Sequence, residues 1–326
     1  VLDVHHIVAD GAALRVLVRE LLAVYRGDAL APLAVQAKDY TMWLQSEGRR
    51  RARDAAAAYW SQLLGGVAPL VLQTDFPRVA ASRHRGARLG FSLGPARHAG
   101  LVALARAHGA TLFMTTLSVF GAFLGRMAGR EDLVIGTPVD GRRHPGLHGV
   151  IGLLIHMLPL RLRPVGTRSF VDLLAEVRAM VAPAFEHQAL SVDDPSPDGR
   201  EPIMHAEAGH PALFDVAFAF ERADELAEQM VDMPGAAWQL IPYAHATGSA
   251  KFELTLTLTQ HRDDLTAMLE YDTDLFLPET AANLRDKLCV AVDAILRAPD
   301  APLAALELRT ERELQLAQRV EIDFAF

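Results

Sequence analysis

Residues 111–129 read TLFMTTLSVFGAFLGRMAG, a stretch that is apolar around nearly the whole circumference of a helix. A helix without a polar face cannot lie on a surface, so other elements must enclose it on every side. The rest of the chain supplies them. ARLGFSL (87–93) and LFDVAFAFE (213–221) alternate with the period of a strand, and DLVIGTPV (132–139) and MLPLRLR (157–163) read as interior strands. KFELTLTLTQ and LTAMLEYD alternate as well, and the turn HRDD between them predicts a hairpin. PARHAGLVALARAHG opens with Pro95 and closes with Gly109 as a short helix does. SFVDLLAEVRAMVAPAFEHQ and PETAANLRDKLCVAVDAILRAPD predict two more helices. Near the front, Leu14, Leu17, Val18, Leu21, Leu22 and Tyr25 recur at helical spacing, with Asp10 where an N-cap belongs and Gly27 closing the run. AKDYTMWLQSEGRRRARDAAAAYWSQLLGG predicts a helical pair ending in a double glycine. Helices and strands mixed in this way imply an α/β layered architecture.

A length of 326 residues exceeds what one hydrophobic core usually organises, so two lobes are expected. TDFPRVAASRHRG (74–86) is the candidate crossing between them, and ALSVDDPSPDGREPIMHAEAGHP (189–211), without periodicity, reads as a mobile surface loop. The 32 Lys and Arg against 40 Asp and Glu leave a net charge of −8, which argues against nucleic acid as a partner. GRRRAR (48–53) reads as the solvated face of a helix. The one cysteine, Cys289, allows neither a disulfide framework nor a cysteine metal cluster and is expected to be a buried filler. No signal peptide and no apolar run of membrane-spanning length is seen, so neither a membrane partner nor any compartment but the cytoplasm is expected. The chain begins at Val1 inside an apolar segment, as a piece of something longer would.

The candidate chemistry sits in HHIVADG (5–11). VLDV before it looks like a strand end, and neighbours in a strand leave on opposite faces, so one histidine is expected inward and the other across the sheet. Zinc would need further ligands, and no His-Glu-x-x-His or similar cluster is present, so no metal is expected. No Gly-x-Ser-x-Gly elbow supports a serine nucleophile. A histidine pair packed within a sheet is the bland alternative. The residues alone allow an acid–base histidine at a strand end, because imidazole titrates near neutrality.

HHIVADG resembles the His-His-x-x-x-Asp-Gly signature of the condensation domains of nonribosomal peptide synthetases, which the wider chloramphenicol-acetyltransferase-like acyltransferases share. Four further stretches resemble condensation-domain segments in the same order: KDYTMWLQ, YWSQLLGGVAPLVLQTDFPR, DLVIGTPVDGRRHPGLHGVIGLLIHMLPLRL and LFDVAFAFE. The resemblance runs from residue 1 to about 315. It implies an α/β fold of two chloramphenicol-acetyltransferase-like lobes in a V-shaped pseudo-dimer, here with residues 1–78 as the remainder of a truncated N-terminal lobe, 79–308 as the C-terminal lobe and 309–326 as a linker toward a following domain. It implies amide formation between a carrier-bound aminoacyl, peptidyl or acyl thioester and the amine of a carrier-bound aminoacyl acceptor. The implied partners are donor and acceptor peptidyl carrier domains and an adjacent adenylation domain. No cofactor would be bound, the substrates riding on phosphopantetheine arms of the carriers.

Carried over by residue, the resemblance makes His6 the group that meets the amine nucleophile, as general base or by orienting it. His5 would pack beneath the loop, Asp10 would hold the loop through an ion pair with Arg142, and Gly11 would permit the tight turn and close backbone approach. The sequence departs from the family pattern at three places. His156 stands where an Asn is usual, which reads as drift at a tunnel wall. HQALSVDDPSPD keeps His187 and Gln188 and loses the family's aromatic acidic end, which is expected to reshape the adjoining loop. The family's segments before the histidines are absent, so apolar faces within 12–26 and 59–72 are expected to lack partners, in either a cut chain or a decayed domain. Two alternatives remain at this point: a non-catalytic platform recruiting carriers or tailoring enzymes, and an epimerisation-type domain, against which AALR after Gly11 lacks the expected Ser-Trp.

Overall fold

The computed structural model describes residues 4–78, 83–190, 213–223 and 248–315. Helix α5 (Leu112–Ala128) lies at the centre. Thr111 caps it by accepting the Met114 amide, and Gly129 ends it in the left-handed conformation with φ of 62°. Its residues from Thr115 to Gly125 are all buried. Burial of Thr115, Thr116 and Ser118 is offset because each hydroxyl donates back into the helix, to the carbonyls of Thr111, Leu112 and Met114. At Gly121 an added Cβ would lie 2.5 Å from Leu162 Cδ2, so glycine lets the helix sit directly on a strand.

That strand belongs to a six-stranded mixed sheet in the order β1-β6-β5-β4-β2-β3. The strands are β1 (Gly86–Ser92), β2 (Leu133–Val139), β3 (His156–Leu162), β4 (Val216–Arg222), β5 (Leu254–Gln260) and β6 (Leu265–Asp272). β4 runs parallel to both β2 and β5, and the other pairings are antiparallel. The alternation in LTLTLT decides which face is covered: Leu254, Leu256 and Leu258 are buried and the threonines between them are not. Leu256 and Leu258 face a small gap that is also lined by side chains from three helices: Leu101 of α4 (Pro95–Ala107), Val119 of α5, and Leu288 and Val292 of α7 (Pro278–Arg297). α6 (Phe170–Glu186) packs on α5 and β3, its start fixed by a reciprocal cap between Ser169 and Asp172. The hairpin closes as expected, with the His261 amide donating to the Asp264 carbonyl across the turn.

Three helices precede the sheet: α1 (Gly11–Tyr25), α2 (Ala37–Leu44) and α3 (Glu47–Leu64). The expectation that residues 59–72 lack partners is corrected here. Trp60, Leu64, Leu70 and Leu72 are buried in the same core as the sheet, and the Trp60 indole donates to the His187 carbonyl at the end of α6. The segment 74–86 is likewise pinned before it reaches residues 79–82, which lie outside the described ones. Asp75 accepts the Leu277 amide and the Thr280 hydroxyl at the start of α7, and Arg78 pairs with Glu253. Leu14, Leu21, Val24 and Tyr25 of α1 are exposed. The basic run 48–53 lies on α3 and faces mostly outward, with Arg49 over the Trp43 ring. Cys289 is half-buried on α7 rather than fully enclosed, and burial pushes its thiol up. Most of the loop expected at 189–211 lies outside the described residues, as do residues 316–326. Among the described residues no single helix is long and apolar enough to cross a membrane.

Candidate active site

Asp10 organises the region around the histidines. Its backbone is extended (φ −96°, ψ −179°), so it stands just outside α1 as the N-cap, and one carboxylate oxygen accepts the Ala13 amide at 2.9 Å. The other oxygen accepts three donors from the far side of the sequence: Arg142 Nη1 at 2.7 Å, the Leu154 amide at 2.8 Å and the Ile155 amide at 3.0 Å. Asp10 is 2% exposed and Arg142 5%. Burial pushes the Asp10 carboxyl up, but the Arg142 guanidinium and the Ala13 and Leu154 amides outweigh it and hold the carboxyl below its ordinary range.

Arg142 uses both terminal nitrogens on further acceptors, while its buried Nε has no hydrogen-bond partner among the described residues. Nη1 also reaches Asp140 at 3.0 Å, and Nη2 donates to the carbonyls of Val150 and Gly152 at 3.2 and 3.1 Å. Gly152 O in turn accepts the Asp10 amide at 3.4 Å. The loop ending at Asp10, the loop after β2 and the segment leading into β3 are thus locked by one buried ion pair. Gly141 allows this closeness: a Cβ there would stand 2.3 Å from the Leu154 carbonyl oxygen. Asp140, Gly141 and the two carbonyls were not singled out from the sequence, although an Asp-Gly directly before Arg142 was a usable sign of a tight approach.

The histidines ride on this locked loop. Both are exposed, with Ile7 70% exposed beside them. The strand reading of their position is not what the structure shows: residues 6–8 form a turn, in which the Val8 amide donates to the His5 carbonyl at 3.1 Å. No described strand pairs with residues 4 and 5, so no pleat sends the two rings to opposite faces. His5 does not pack beneath the loop. Its Nδ1 accepts the Ile7 amide at 3.1 Å, which fixes the ring at the surface. Gly11 is the first residue of α1, and a Cβ there would meet nothing within 4 Å, so neither the turn nor any described neighbour demands glycine.

His156 begins β3, with Nδ1 3.3 Å from the Leu154 carbonyl, next to the amides that Asp10 holds. His187 and Gln188 belong to a different place, the junction of α3 and α6. The His187 ring stacks on Tyr59 at 4.2 Å with 10° between planes, and burial pushes the Tyr59 phenol up. Gln188 donates to the Phe185 carbonyl. Among the described residues no three His, Cys, Asp or Glu side chains converge as a metal site requires.

Known proteins match this chain along nearly its whole length. The family model described as "Condensation domain" matches residues 1–316. Surfactin synthase subunit 1 of Bacillus subtilis (strain 168) is 35% identical over 314 residues, 96% of this chain and 8% of that protein. Tyrocidine synthase 3 of Brevibacillus parabrevis is 31% identical over 324 residues, 99% of this chain and 5% of that protein. The chain therefore spans less than a tenth of these curated relatives. Among solved structures, the X-domain from teicoplanin biosynthesis aligns with a TM-score of 0.81 at 24% identity, over 94% of this chain and 71% of that one. The first condensation domain of the calcium-dependent antibiotic synthetase aligns with a TM-score of 0.68 at 20% identity, over 94% of this chain and 66% of that one. These structural likenesses agree with the mixed α/β fold, and the family match over almost every residue decides the assignment: the chain belongs to the condensation-domain family.

Proposed function

We propose that this chain takes part in amide-bond formation on a nonribosomal peptide synthetase, transferring an acyl, aminoacyl or peptidyl group from one carrier protein to the amine held by another. The observation that carries this reading is the buried Asp10–Arg142 pair, which anchors the His5–His6 loop to the segment leading into β3 while leaving His6 open to a ligand. Family membership supports the same reaction class.

The chemistry asks little of the protein beyond position. The acceptor nitrogen attacks the thioester carbonyl carbon, the C–S bond breaks, and the amine proton must leave as the thiol is released. An α-amine of pKa about 7.7–8 is partly neutral near pH 7, so a nearby imidazole is well matched to accept or hold that proton. His6 is the group assigned here, either as the base or by orienting the amine. Phosphopantetheine arms on donor and acceptor carriers present the substrates, and an adenylation domain follows in the same assembly line.

The test is direct. The full-length protein is supplied with a loaded donor carrier and a loaded acceptor carrier, and the acceptor is weighed intact. A mass gain equal to the donor acyl group supports the proposal. No gain across a broad panel of loaded pairs refutes it and favours a recruitment role.

A further inference from the structure

The six-stranded sheet is bonded unevenly. β2 and β3 pair along their whole length, as do β4 with β5 and β5 with β6. Among the described residues β2 and β4 meet at a single register position, Gly136 opposite Ala217. Two prolines explain where this seam stops. Across the β2–β3 ladder Gly136 faces Pro159 and Pro138 faces Met157. Proline has no N–H to exchange, so these are the non-hydrogen-bonded pairs, and the backbone groups of Gly136 and Pro138 turn toward β4. Position 138 is then the one that would donate to the Phe218 carbonyl, and a proline cannot. The buried Thr137 hydroxyl donates to that carbonyl instead, at 2.8 Å.

The groups that hold the histidine loop lie beyond this seam. Asp140 and Arg142 follow directly on Val139, and the Leu154 and Ile155 amides that Asp10 accepts come directly before His156. The segment between them has a small core of its own, in which Leu147, Val150 and Leu154 pack with Val35, Ala37 and Tyr40, separate from the core under the sheet. Arg143 tethers it to the Glu186 carbonyl of α6 by an exposed hydrogen bond, for which water competes.

We propose that the tip of the β2–β3 hairpin swings about Gly136, carrying residues 140–155 and the histidine loop as one body, and that the Thr137 hydroxyl is the catch holding it against β4. Such a local opening costs less than unfolding the domain, because few bonds cross the seam. Thr137 is thereby a positioning residue for His6, acting through the Asp10–Arg142 pair. The consequence for catalysis rests on the proposed function; the swing itself rests on the sheet.

Hydrogen–deuterium exchange of the full-length protein, read by mass spectrometry, compares Thr137→Val and Thr137→Ser with the parent. In Thr137→Val, exchange at residues 137–142, 152–158 and 9–13 is expected to speed up together by about ten-fold, as loss of one buried hydrogen bond allows, while α5 and β5 keep the parent rate. Thr137→Ser keeps the hydroxyl and the parent rate throughout. Acceleration everywhere overturns the swing and leaves Thr137 a general stabiliser. No acceleration overturns the catch, and acceleration at 137–142 without 9–13 overturns the shared body. Thr137→Ser exchanging like Thr137→Val overturns the role of the hydroxyl. Pro138→Ala returns the missing N–H and is expected to slow exchange in the same three segments; unchanged rates there overturn the account of the seam. The expected pattern in a protein that forms no amide keeps the swing and refutes only the proposed reaction.

Discussion

Replacing Asp10 by Ala removes the acceptor of four hydrogen bonds at once: Ala13 N, Leu154 N, Ile155 N and Arg142 Nη1. The larger part of the cost is the buried guanidinium left behind. Breaking a buried pair by removing one partner costs about 3–5 kcal/mol. Asp140 remains 3.0 Å from the same nitrogen, with a side chain 53% exposed, so the lower end of that range applies. Loss of the N-cap adds about 1 kcal/mol. A total near 4 kcal/mol is a large share of the roughly 5–15 kcal/mol that holds a typical domain. Denaturant titration of Asp10→Ala, Arg142→Met and the double variant measures it. The double variant is expected to cost at least about 2 kcal/mol less than the two single costs together, because contacting groups do not add. Asp10→Ala within about 1 kcal/mol of the parent, or strictly additive costs, would refute the account of this lock.

The same pair sets a pH dependence. The Asp10 carboxyl is held low when folded, so its contribution is complete above the unfolded carboxyl value of about 3.9 and is lost as pH falls through the folded value. Denaturant midpoints measured from pH 7 downward should drop, and the drop should be smaller in Asp10→Asn. Gly141→Ala should destabilise by about 1–3 kcal/mol, since its Cβ would press on the Leu154 carbonyl, and thermal melts compare it with the parent. Gly11→Ala should leave stability within about 0.5 kcal/mol of the parent, because the added methyl meets open space, and any activity it loses then reports contact with substrate. Trp60→Ala should cost about 3–5 kcal/mol in denaturant titration, as it empties the junction of α3 with α6 and frees the His187 carbonyl.

What the sequence revealed follows from the range over which each signal acts. α5 was legible because a helix apolar all round has no alternative to burial, and the β5–β6 hairpin because leucine and threonine alternate up to a polar turn. The attachment of Trp60 and Asp75 to the sheet lobe was not legible: their partners, His187 and Leu277, lie more than a hundred residues away and leave no local trace. The positions of His5 and His6 were misread because alternation needs a paired neighbour strand, and a turn places both rings outward instead. Arg142 lies 132 residues from Asp10, and only the resemblance brought the two together. Asp140 and Gly141 beside it were legible in principle, since an Asp-Gly step next to a buried arginine marks a close backbone approach, here to the Leu154 carbonyl.

The central claim is that His6 meets the substrate. It is tested by comparing the full-length protein with its His6→Ala and His5→Ala variants, using loaded donor and acceptor carriers and intact-mass detection of the product. The account predicts that His6→Ala slows amide formation by about 10²–10⁴-fold if it acts as the base, with an unchanged melting temperature because the ring is exposed, while His5→Ala retains far more of the rate. Product formation at the parent rate in the His6→Ala protein would contradict it.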